Sequence, residues 1–67
     1  MVTTFWVSPI SGDWDVRSGE VVLSHHRRKR DALQVAAERA RAHRPSVVRI
    51  QRRDGSIASE RRYPANR

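Results

Sequence analysis

The chain has 67 residues, no cysteine, and fourteen Lys and Arg against seven Asp and Glu, for a formal net charge of +7. One small domain is all that such a length allows, and it buries only about 60% of the surface its unfolded form exposes, so its stability is marginal. Disulfides and thiolate metal sites are excluded; no apolar run approaches the roughly 20 residues of a membrane span, and the start Met1-Val2-Thr3-Thr4-Phe5-Trp6 lacks the layout of a signal peptide, so a soluble, cytoplasmic protein is expected.

Residues 4–10 read as a strand, with Phe5 and Val7 on one face, Trp6 on the other, and Pro9 at a strand end or edge. Ser11-Gly12-Asp13 is a turn, and Trp14-Asp15-Val16-Arg17 then alternates apolar and polar residues. This predicts a hairpin with Trp14 and Val16 inward and Asp15 and Arg17 outward. After a second turn at Ser18-Gly19-Glu20, Val21-Val22-Leu23 suits a short third strand.

From Arg28 or Lys29 to about His43 the period becomes helical. Ala32, Leu33, Ala36, Ala37 and Ala40 form one stripe, and Asp31, Gln34, Glu38 and Arg41 fall opposite it. Pro45 stops the helix, because the residue before a proline avoids the α region. Ser46 to Gln51 is a further strand, with Val48 and Ile50 on one face. Asp54-Gly55 is a hairpin turn signal, Ile57 to Tyr63 is the last strand, and Pro64 to Arg67 is a frayed tail. The predicted architecture is a small α+β two-layer sandwich, one helix packed on an antiparallel sheet, in the order β-β-(β)-α-β-β. The ordered core spans about residues 4–63 of a single domain.

The spacing Val7, Pro9, Gly12, Trp14, Val16, then an Ala-rich helix, then Arg53-Asp54-Gly55-Ser56-Ile57 and Tyr63 resembles the domain-of-unknown-function family 2188. These are short bacterial and phage domains with a V-x-P…G-x-W-x-V opening and an R-D-G-x-I…Y close. The resemblance spans Phe5 to Pro64 and implies a helix laid on an antiparallel sheet. It carries no activity. Where the family's helix start usually offers a Thr as a cap, this chain has Arg28 inside His25-His26-Arg27-Arg28-Lys29-Arg30. The chain is also more basic than the family pattern, which points to a partner of its own.

Charge is the main functional signal. Residues 1–24 carry one cation against three acids, whereas residues 25–67 carry the other thirteen cations against four acids. Such a gradient draws polyanions. The run Arg27, Arg28, Lys29, Arg30 stands at a helix N-terminus, where the macrodipole is already positive. An anion there relieves the repulsion and uses free backbone N–H groups, so these four are expected to grip phosphates, with His25 and His26 as auxiliary donors. Arg49, Arg52, Arg53 and Arg62 of the C-terminal hairpin form a second basic set. One helix covers one sheet face, so Trp6, Asp15, Arg17, Arg49, Gln51 and Arg62 are expected on the other. There Trp6 can stack a base beside Arg or anchor a homodimer through the open face.

Trp14 is expected in the core. The histidines lack the spacing of a zinc set, and no cysteine nucleophile, glycine-rich phosphate loop or carboxylate pair in apolar surroundings is present. No enzyme activity, cofactor or metal is therefore expected. The leading expectation is a nucleic-acid-binding protein, DNA ahead of RNA, phosphate-dominated and weakly sequence-specific. The alternative is a phage- or prophage-type interaction module docking on an acidic host protein; a passive accessory domain is a third reading.

Overall fold

A computed structural model describes residues 1–66. Among them are the strands β1 (Thr3–Ile10), β2 (Asp13–Ser18) and β3 (Val21–His26), the helix α1 (Lys29–Ala42), and the strands β4 (Ser46–Gln51) and β5 (Ile57–Tyr63). The strands form one sheet in the order β3-β2-β1-β4-β5, and α1 packs across β1, β2, β3 and β4 on one face. The two-layer sandwich and the element order are those the sequence pattern predicts. The third strand is a full strand, and it runs on through His25 and His26.

The sheet is mixed, not antiparallel throughout. β1 and β4 pair in parallel, from Thr3 opposite Ser46 to Val7 opposite Ile50, while the other pairings are antiparallel. After β3, the helix carries the chain back along the sheet. β4 therefore starts from the end where β1 starts and fills the free edge of β1. Alternation reports which face a residue takes, but not the direction of its neighbouring strand.

The core forms where three strands meet the alanine stripe. Phe5, Val7, Trp14, Val16, Val48 and Ile50 are buried against Ala32, Ala36 and Ala40, with Leu23, Leu33, Val35 and Tyr63 packed around them. Alanine methyls let the helix axis approach the sheet closely, at the cost of little apolar area per residue. A bulge between β2 and β3 leaves Leu23 without a directly opposed residue, and Leu23 packs against the core.

The two ends of α1 differ. At the C-terminus the His43 N–H bonds to Arg39 and Ala40 carbonyls, and the buried Ser46 Oγ donates to the Ala40 carbonyl at 2.7 Å. At the N-terminus the cap is Arg28, extended at φ −111° and ψ 135°, and among the described residues no side chain caps the free N–H groups. The β4–β5 turn closes through the Gly55 N–H to the Arg52 carbonyl at 2.9 Å, with Gly55 at φ +88°, a conformation that favours glycine.

Beyond β5, the Pro64 carbonyl accepts from Arg44 Nη1 at 3.3 Å. Arg67, the end of the expected tail, lies outside the described residues. No helix among the described residues is long and apolar enough to cross a membrane.

Candidate nucleic-acid interface

The basic run divides across three settings. His25 and His26 close β3, Arg27 and Arg28 bridge to the helix, and Lys29 and Arg30 begin its first turn. Strand alternation sends the two histidines to opposite faces. His26 Nε2 lies 2.8 Å from Ser24 Oγ. His25 faces away from the helix, with Nδ1 2.6 Å from Asp15 Oδ1 and Nε2 2.9 Å from Asp13 Oδ2.

Two carboxylates facing both ring nitrogens suit the imidazolium, which donates from each. Hydrogen bonds to Asp13 and then Asp15 raise the pKa of His25 above its ordinary 6.5. Asp15 does lie on the open face, yet it is only 3% exposed; His25 supplies its partner. Of the rest of the run, Arg27, Arg28 and Arg30 are exposed. Arg30 makes a 3.4 Å solvent-facing contact with Asp31, which holds it weakly.

Trp14 gathers the second basic segment onto this end of the molecule. Its indole is buried, and Lys29 Nζ lies 4.9 Å from the ring centroid while the Arg53 guanidinium lies 5.8 Å from it. The start of α1 and the β4–β5 turn therefore share one end of the sheet. Arg53 does not join Arg49 and Gln51 on the open face, because the turn after β4 swings it towards the helix layer. Arg52 holds that turn, donating from Nη1 to Ser56 Oγ at 3.2 Å and the Ile57 carbonyl at 3.1 Å. Asp54 accepts from the Ser56 hydroxyl and N–H, which holds its carboxyl below the ordinary 3.8.

The open sheet face carries a different set. Trp6 stands opposite Arg17 on β2 and opposite Arg49 on β4, with the Arg49 guanidinium 5.4 Å from its ring centroid. Glu60 accepts from Arg49 Nε at 3.0 Å and Arg62 Nε at 3.3 Å, and both bonds hold its pKa below 4.5. A shallow groove of about 510 Å³ runs along β1, lined by Trp6, Ser8, Pro9, Arg17, Gln51 and the glycines of two turns.

The site residues named from sequence thus fall into two groups. Arg27, Arg28, Lys29, Arg30, Arg52 and Arg53 gather at one end, and Trp6, Arg49 and Arg62 lie on the open face. His25 is engaged by carboxylates, and His26 by Ser24. The Trp14 junction and the Asp13–His25–Asp15 clasp have no local motif. The clasp becomes readable once β3 is extended to His25, which then lies directly opposite Asp15.

Residues 5–63 match the model of a family described as an uncharacterized protein conserved in bacteria (DUF2188). No curated protein and no solved structure matches the chain.

Proposed function

We propose that this chain, which belongs to the uncharacterised bacterial family DUF2188, binds nucleic acid through its phosphates, with little sequence preference and no catalysis. The observation that supports this most directly is the meeting of Lys29 and Arg53 on one Trp14 ring. It joins two basic segments, remote in sequence, at a helix N-terminus that carries no side-chain cap among the described residues. Neither segment alone would be more than a solvated charge run. Together they present cations and backbone donors to one anionic chain. The helix itself carries Asp31 and Glu38, so the reading places its end, not its side, against the phosphates.

The test is a titration of labelled random-sequence duplex and single-stranded DNA and RNA across a salt series. The expected result is binding whose logarithm falls linearly with the logarithm of salt, several counterions being released per complex. Replacing Arg27, Arg28, Arg30 and Arg53 together by Ala should flatten that slope and weaken every sequence alike. Absence of binding at about 50 mM salt, where phosphate contacts are strong, would overturn the proposal. It would turn attention to an acidic protein partner.

A further inference from the structure

We infer that the groove on the open sheet face seats one nucleotide of a single-stranded segment, with a base on Trp6 and its phosphate on Arg17. This rests on the nucleic-acid reading above, but it uses different residues and commits to a strand form.

The first support is Arg17. Its Nε is buried and has no hydrogen-bond acceptor among the described residues. A guanidinium N–H shut away from water costs free energy until an acceptor arrives. Arg17 lines the groove, so a rotation of its guanidinium towards an anionic oxygen there gives Nε the acceptor it lacks. The planar fork of arginine suits phosphate better than a point charge would.

Register provides the second support. Arg17, Trp6 and Arg49 stand side by side on three neighbouring strands, so an aromatic surface is flanked by cations on both sides. Glu60 ties Arg49 and Arg62 into one bracket on the β5 side. On the β3 side, Asp13 and Asp15 are held by His25, and their charge repels phosphate from that corner. The favourable lane runs from Arg62 through Arg49 and Trp6 to Arg17. The face belongs to a five-stranded sheet, broader than the helix or two-stranded ribbon that a major groove admits. Unpaired bases can lie flat on it and stack.

The groove also has polar equipment for a base edge. Ser8 and Gln51 lie on its floor beside Trp6. Gln51 is already oriented, its Nε2 donating to the Gly55 carbonyl at 3.0 Å, which leaves its amide oxygen to accept.

The experiment compares a labelled oligothymidylate and a random duplex of about twelve units, within the reach of one small domain. Wild type, Trp6→Ala, Trp6→Phe, Arg17→Ala and Arg17→Lys are titrated, with circular dichroism to show that each is folded. Trp6→Ala should weaken the single strand by about 5- to 150-fold and leave the duplex nearly unchanged. Trp6→Phe should restore much of the loss, and Arg17→Lys should recover less than its charge alone would give.

Unchanged single-strand affinity in folded Trp6→Ala or Arg17→Ala overturns the seat and leaves the phosphate reading standing, as does wild-type binding to duplex alone. Binding of neither form sinks both readings. A dimer that sediments as such without nucleic acid and separates on Trp6→Ala also overturns the seat, because the face is then occupied by a second copy.

Discussion

Lys29 and Arg53 approach the same indole, at 4.9 and 5.8 Å from the centroid of Trp14. The ring is buried in the core and both cations lie over it, so one side chain serves the core and orders the charged end. Arg53→Gln removes one of those cations. Stability should fall by about 0.5–1 kcal/mol in urea titration, and the salt slope of nucleic-acid binding should fall by roughly one. Trp14→Ala should cost about 3–5 kcal/mol, enough to unfold so small a domain. An Arg53→Gln slope equal to that of wild type would place Arg53 outside the interface.

Arg28 occupies the cap position with the extended backbone a cap requires, but its side chain accepts nothing. Arg28→Ser should stabilise the protein by about 0.5–2 kcal/mol, since a hydroxyl satisfies one free N–H and removes a charge that opposes the dipole. The same change should weaken nucleic-acid binding. Thermal melts and anisotropy titrations on the one variant would show the opposed effects; a variant both more stable and equally tight would separate Arg28 from function.

The clasp on His25 gives a pH dependence of definite sign. Its pKa is raised above 6.5 by the hydrogen bonds to Asp13 and Asp15, so its contribution is complete below pH 6.5 and is lost as pH rises through the folded value. Asp54 and Glu60 are shifted below 3.8 and 4.5. Their contribution is present above those values and is lost as pH falls through the folded ones. Together the three favour mildly acidic conditions, between roughly pH 4.5 and pH 6.5. Melting temperature of wild type should decline from pH 6.5 upward, and His25→Gln should flatten that limb alone. Parallel curves for the two proteins would rule the clasp out as the cause.

Ala36 is fully buried in the middle of the stripe facing the sheet. Ala36→Leu should destabilise the fold by about 1–3 kcal/mol, because the helix has no room to rise without losing contact at Ala32 and Ala40. A chemical denaturation midpoint at or above that of wild type would mean that the two layers are looser than the packing indicates.

Element order and inward faces were legible because both rest on local pattern. Phe5 and Val7 alternate with Trp6, the alanines recur at helical spacing, and Pro45 and Gly55 punctuate the chain. The parallel pairing of β1 with β4 was not legible, since strand direction is decided by where the helix delivers the chain. Asp15 was expected at an outward position, which is right, but its burial depends on His25 from a strand whose length the pattern understated. The side taken by Arg53 was not legible, because a turn residue has no periodicity to follow. Arg17 looks like any solvated strand cation in sequence, and only packing reveals that its Nε lacks an acceptor.

The fifth strand contributes no side chain to the buried core, and all of β5 is exposed except the half-buried Tyr63. It is joined to the protein chiefly through its ladder with β4. Its amide hydrogens should therefore exchange through local fraying, while those of β1 and β4 wait for global opening. Proteolysis under native conditions should enter at this hairpin first. On the proposed reading the two basic segments therefore differ in stiffness: Lys29 and Arg30 are held in the first turn of α1, while Arg52 and Arg53 ride on a hairpin that can re-seat against a ligand.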